Sequence, residues 1–170
     1  VNIIGMGESS VAEEIEDMFD AKNPTVAPYA KSGEVRLRIT AKAETADEAD
    51  RMCAPVVDEI CSRLGDVVYG TDMNSIEERV VALLKEKGKK IATAESCTAG
   101  YIPKRLTDIP GASEVFECGI VSYSNDMKTK LLGVSPKTLD TYGAVSEQTA
   151  REMALGAKRV SGADIAISTT

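Results

Sequence analysis

The chain has 170 residues, 43% hydrophobic and 28% charged, with a net charge of −7. That balance fits one medium or two small soluble domains, each with a modest core, and excludes a disordered chain. No apolar run approaches the ~18 residues that a bilayer span needs, and no stretch reads as a secretory signal.

Ile3-Ile4 reads as a short strand ending at Gly5-Met6-Gly7. Ser10 with Glu13 has the spacing of a capping box, and Val11, Ile15, Met18 and Phe19 line one face of the helix behind it. Pro24 ends that helix. Thr25–Tyr29 reads as a strand, and Lys31-Ser32-Gly33 as a turn. From Glu34 to Lys42 the chain alternates, with Val35, Leu37, Ile39 and Ala41 on one face, the pattern of a half-buried strand. Thr45 and Glu48 form a second capping box. Ala49, Met52, Cys53, Val56, Ile60 and Leu64 then point inward along a helix that Pro55 is expected to kink. Asp66–Tyr69 closes the set as a strand. The order β-α-β-β-α-β is that of a ferredoxin-like or KH-like domain over residues 1–72.

Residues 73–170 read differently. Ser75 and Glu78 cap a helix with Ile76, Val80, Leu83 and Leu84 as its apolar stripe, closed by Gly88. A strand Ile91–Ala94 leads into the polar loop Glu95–Gly100 and a helical stretch to Thr107. Val115–Tyr123 is a second strand, followed by a helix that Asn125 is expected to cap. Ser135-Pro136 starts a short helix, and Ser146 a longer one with Ala150, Met153, Ala154 and Ala157 inward. Asp164–Thr169 is a third strand. This alternation predicts an α/β layered domain, so the chain as a whole is α/β (α+β).

Residues 1–75 hold 7 basic and 15 acidic side chains, and residues 76–170 hold 13 and 12. The acidic first part would repel a phosphate backbone, and it has neither an aromatic RNA-binding strand nor a GxxG clamp loop. A spacer or dimerising role is the plainer expectation, with no nucleic acid and no membrane as partner.

The chain has four cysteines and no histidine. No CxxC pair occurs, so a metal site is not expected, nor a disulfide scaffold, and reduced thiols in a cytoplasmic setting follow. Ser-His-Asp and Cys-His catalysis cannot operate within this chain. A general base must be Lys, Asp, Glu, Tyr or a thiolate. The turn after Ile91–Ala94 would present backbone N–H groups at the start of a helix, which suits a phosphate or an oxyanion, though ordinary helix capping explains such turns equally. Ser96 and Cys97 are adjacent nucleophiles. Cys97 has a plainer reading as a small buried hydrophobe. Ser96 needs a base. Lys128 can serve if burial keeps it neutral, with Tyr123 to relay or orient the proton, but a solvated helix lysine is the alternative.

Three stretches then carry a resemblance. They are Ala94-Glu95-Ser96-Cys97-Thr98-Ala99-Gly100 with Thr107–Ser113, Gly119–Lys128 with Leu131–Val134, and Tyr142–Glu147. Together they closely resemble the C-terminal domain of CinA (competence/damage-inducible) proteins. Residues 1–75, through Gly5-Met6-Gly7-Glu8-Ser9, resemble the connecting domain of longer members. The resemblance implies a deamidase that converts nicotinamide mononucleotide to nicotinate mononucleotide and ammonia, without a cofactor. It implies Ser96 as nucleophile, Tyr123 and Lys128 as activating partners, and Cys97, Thr98, Gly100, Asn125 and Thr170 around a small nucleotide substrate. It also implies a homodimer. Ala99 stands where the family often has glycine, and Pro103 falls early in a helix, where a first-turn proline is tolerated. The family pattern continues past Thr170 with a Gly-Ile-Ala-Gly turn, so an incomplete domain of impaired activity is expected here. The rival expectation is a non-catalytic nucleotide-binding or interaction module with Ser96 as a helix cap.

Overall fold

The computed structural model describes residues 1–31 and 33–170. Ser32, in the middle of the expected turn, lies outside the described residues. The chain divides into two compact units, Val1–Ile76 and Glu77–Thr170.

The first unit contains β1 (Asn2–Ile4), α1 (Glu8–Glu14), a 3-10 turn (Glu16–Met18), β2 (Thr25–Lys31), β3 (Glu34–Thr40), α2 (Ala46–Leu64) and β4 (Val68–Gly70). Its sheet has the order β2-β3-β1-β4, antiparallel at every pairing. This is the split βαβ arrangement expected from the sequence. The alternation in β3 buries Val35 and Leu37, which join Ile3, Val11, Ile15, Val26, Ile60 and Leu64 in one aliphatic core. The opposite face carries Arg38, whose guanidinium lies 4.7 Å from the centroid of the Tyr29 ring.

Three local expectations for this unit change. The strand expected at Asp66–Tyr69 is Val68–Gly70, with Asp66 and Val67 in a 3-10 turn (Gly65–Val67) before it. α1 begins at Glu8 with Gly7 as its N-cap, not at Ser10. The carbonyl of Gly7 already accepts the Val11 N–H at 3.0 Å, so Ser10 falls inside the first turn, where its hydroxyl cannot cap. At α2, Thr45 Oγ1 accepts the Glu48 N–H at 3.2 Å as expected. The Glu48 carboxylate, however, reaches the Glu44 N–H at 3.4 Å rather than that of Thr45. Pro55 sits within α2, which is continuous from Ala46 to Leu64.

The second unit contains α3 (Ile76–Glu86), β5 (Ile91–Glu95), α4 (Tyr101–Thr107), a 3-10 turn (Ala112–Glu114), β6 (Phe116–Val121), α5 (Asn125–Leu132), α6 (Pro136–Tyr142), α7 (Glu147–Ser161) and β7 (Ile165–Thr169). Its sheet has the order β6-β5-β7, parallel throughout. Alternation along the central strand β5 sorts its neighbours. Ala92 and Ala94 pack with Leu132, Val134, Met153 and Ala157 from the α5 and α7 side. Ile91 packs with Val81, Leu84, Leu106 and Val115 on the other side. The helices approach closely because small residues allow it. A Cβ on Gly156 of α7 would overlap the Leu132 carbonyl of α5, and one on Gly119 of β6 would meet Pro103 Cγ at 2.7 Å. No described helix is long and apolar enough to cross a membrane.

Candidate active site

The carboxyl ends of β5, β6 and β7 converge, the position at which open parallel sheets place their ligand sites. β5 delivers Ser96, β6 delivers Ser122 and Tyr123, and β7 delivers Thr169. The Ser96 N–H donates to the Thr169 carbonyl at 3.0 Å, and the Ser122 N–H donates to the Glu95 carbonyl at 2.8 Å.

Ser96 follows Ala94 in the alternation and therefore faces α5. Lys128 faces it from α5, because it lies one turn before the buried Leu132 on the inward stripe of that helix. Ser124, not the expected Asn125, caps α5, its Oγ accepting the Met127 N–H at 3.3 Å. The helix thus begins one residue earlier than the sequence suggested.

Lys128 is only 1% exposed and Ser96 8%. Lys128 Nζ lies 2.9 Å from Ser96 Oγ, 2.9 Å from the Ser122 carbonyl and 3.1 Å from the Tyr123 carbonyl. A neutral amine has two N–H donors and one lone pair. In that form the two carbonyls can take the donors and leave the lone pair for the Ser96 hydroxyl proton, whereas the ammonium donates to all three oxygens. Burial pulls the Lys128 pKa below the ordinary lysine value of 10.5, with the nearby Cys97 opposing the shift, which moves the balance toward the neutral amine.

The Tyr123 ring is 80% exposed, and its hydroxyl has no hydrogen-bond partner among the described residues. The proton relay expected of that phenol is not formed in this chain. Tyr123 instead meets Lys128 through its main-chain carbonyl, because β6 ends just before it and the side chain turns outward. Cys97 is exposed and in no disulfide, not the buried small hydrophobe of its plainer reading. Its N–H and those of Thr98 and Gly100 make no hydrogen bond among the described residues. The loop that holds them is tight. Ala99 has φ +49° and Gly100 φ +94°, and Thr98 Oγ1 pairs with Thr169 Oγ1 at 2.6 Å. The position where the family often has glycine is therefore one that favours glycine.

Two expected contacts lie elsewhere. Asn125 is exposed and borders a surface groove with Thr129, Lys130, Leu139 and Asp140. Thr170 Oγ1 donates to the Ala144 carbonyl at 2.8 Å, and it is Thr169 that meets the Ser96 loop. Sequence reasoning missed Thr169, the Ser122 carbonyl and the burial of Glu95. Only the spacing from Lys128 to Leu132 hinted at a buried lysine. The larger cavity, about 670 Å³, lies in the first unit between Arg36, Arg38, Asp50, Asp58 and Asp72. Among the described residues, the buried side-chain polar atoms without partners are Thr93 Oγ1, Glu95 Oε1 and Ser122 Oγ, none of which lines it.

The family model for the CinA C-terminal domain matches residues 73–170, and that for the damage-inducible protein CinA KH domain matches residues 1–70. A competence-damage inducible protein of Clostridium beijerinckii is 56% identical over all of this chain, which covers 42% of that protein. A CinA-like protein of Desulfovibrio desulfuricans is 49% identical over all of this chain, which covers 40% of it. The chain thus spans about two-fifths of the length of these curated relatives. Among solved structures, the competence/damage inducible protein CihA of Agrobacterium tumefaciens is 42% identical with a TM-score of 0.55, over 59% of this chain and 61% of that one. A CinA superfamily protein of Escherichia coli is 35% identical with a TM-score of 0.54, over 62% and 63%. With its two stretches matched by two models in chain order, the chain belongs to the CinA family.

Proposed function

We propose that the second unit carries the catalytic dyad of an amidohydrolase that converts nicotinamide mononucleotide to nicotinate mononucleotide and ammonia. The observation that carries this reading is the buried contact of 2.9 Å between Lys128 Nζ and Ser96 Oγ, at the carboxyl edge of a parallel sheet. The choice of substrate rests on the motif resemblance.

Ser96 Oγ attacks the carboxamide carbon, and neutral Lys128 takes the hydroxyl proton. The negative charge that develops on the amide oxygen is taken up by the N–H groups of Cys97 and Thr98, which are not otherwise engaged among the described residues. Lys128, now protonated, returns the proton to the leaving nitrogen as ammonia departs. Water then attacks the acyl-serine by the same proton path in reverse, releasing the carboxylate. The Ser122 and Tyr123 carbonyls keep the amine directed at Oγ throughout.

The test is ammonia release from nicotinamide mononucleotide, measured on this chain and on the full-length protein. Ser96→Ala is expected to lower release by about 1,000-fold or more, since nucleophile and base act as one unit. Near-normal release by that variant would overturn the reading. Binding of the mononucleotide without any release would point instead to a non-catalytic nucleotide-binding module.

A further inference from the structure

Among the described residues, Glu95 is the only acidic side chain in the buried set, at 0% exposure. It precedes Ser96 directly, but alternation turns it to the opposite face of β5, toward α4. There Glu95 Oε2 accepts the Ile102 N–H at 3.2 Å. α4 has no capping side chain of its own, because its N-cap is Gly100 in the left-handed conformation. Glu95 supplies the missing acceptor from the other side of the loop.

The arrangement is costly to fold. Oε1 of Glu95 has no partner among the described residues, and neither has Thr93 Oγ1, two residues earlier on the same face. Glu152 shows the cheaper version of the same device. From α7 it accepts the Ser135 N–H at 2.7 Å and the Thr138 hydroxyl at 2.6 Å, so both oxygens are used at the start of α6. A half-satisfied buried carboxyl group is a poor way to gain stability, since an apolar residue of similar size removes the desolvation cost.

What Glu95 gains is control of the loop between it and Ile102. That loop contains Ser96 and the free N–H groups of Cys97 and Thr98. It is closed internally by Ala99 N–H to the Ser96 carbonyl at 3.2 Å and Tyr101 N–H to the Thr98 carbonyl at 3.0 Å. Thr169 ties it on the β7 side, and Glu95 ties it on the α4 side. We infer that Glu95 is a positioning residue that clamps the first turn of α4 to the end of β5. The clamp keeps the Cys97 and Thr98 N–H groups on the oxygen of the carbonyl that Ser96 attacks. The clamp stands on the geometry alone, and its catalytic consequence rests on the amidohydrolase reading.

The experiment uses the full-length protein with Glu95→Ala and Glu95→Gln, followed by amide hydrogen exchange of residues 97–103 and by steady-state ammonia release. Glu95→Ala is expected to speed exchange by roughly tenfold or more in that segment. It is expected to lower kcat by about 100-fold with KM within about threefold. Glu95→Gln keeps an acceptor oxygen for Ile102 and is expected to restore both quantities to within about threefold of the parent. Glu95→Asp, one methylene too short to reach Ile102, makes the same comparison if Glu95→Ala does not fold. Unchanged exchange in Glu95→Ala overturns the clamp, and faster exchange with unchanged kcat overturns its role in positioning. Failure of Glu95→Gln to restore either quantity overturns the acceptor role. If the parent protein releases no ammonia, the amidohydrolase reading fails separately, and the exchange series still decides the clamp.

Discussion

In the first unit the buried set is aliphatic apart from Asn2, whereas the second unit buries Thr93, Glu95, Ser96, Ser122, Lys128, Thr138 and Thr149. Asn2 uses both hydrogens of its side-chain amide, donating to Tyr69 Oη at 3.2 Å and to the Met73 carbonyl at 3.1 Å. In the second unit three buried polar atoms have no partner among the described residues, and a lysine is enclosed with its pKa lowered. The antiparallel unit solves the folding problem with alternating side chains and ordinary satisfaction of polar groups. The parallel unit carries polar cost, and much of it lies at one place, around the carboxyl end of β5. Proteins depart from locally optimal choices in this way where a site has to work.

The comparison can be broken first at Lys128. Lys128→Met in the full-length protein is expected to reduce ammonia release by about 1,000-fold, or ~4 kcal/mol. Its effect on stability should be small, because losing the desolvation cost offsets the lost hydrogen bonds. In the parent, release should rise with pH along a limb whose midpoint lies below the ordinary lysine value of 10.5. The sign follows from the shift. A lowered pKa makes the neutral base more abundant at a given pH, and protonation removes it as pH falls. The same shift means that the folded state holds fewer protons than the unfolded one between its own pKa and 10.5. Stability from this group therefore increases as pH rises through that window. A rate profile with its midpoint at or above the ordinary value would remove Lys128 as the base.

Leu37→Ala tests the other side. Leu37 is 1% exposed in the aliphatic core, and its truncation should cost roughly 3 kcal/mol in urea unfolding of the first unit. Ammonia release below the transition should not change. A parallel fall in activity would show that the two units are not separable in function.

The smallest effect is expected at the loop. Ala99 has φ +49°, and Ala99→Gly should stabilise the second unit by roughly 0.5–1 kcal/mol, the relief of left-handed strain less the entropy of the added glycine. A loss of stability in urea titration would mean that this conformation is not strained.

Much of the architecture was legible in local patterns. The Val35–Ile39 alternation, the Thr45 cap and the helix pattern after Ser146 are each written in residues a few positions apart, and the element order then fixed the fold class. Helix starts were less legible at Ser10 and Asn125, because several polar residues in a row can each cap and only the backbone path chooses among them. Of the site, Ser96, Lys128, Thr98 and the loop were named from residue type and motif. Motif matching alone could not say which atom of a residue would be used.

What the sequence determined by itself was a strand–loop–helix around Ser96 and, with no histidine available, a narrow choice of base. What only the tertiary structure decided was which groups meet. Strand parity sends Ser96 to α5 and Glu95 to α4, and one helical turn places Lys128 above Leu132. The end of β6 offers the Tyr123 carbonyl while its ring turns to solvent. The meeting of the Ser96 segment with its partners rests on contacts between residues 27 to 73 positions apart: Glu95 with Ser122, Ser96 with Lys128, and Ser96 with Thr169. Local propensity carries no information about such pairs, because their energies exist only once the sheet has assembled.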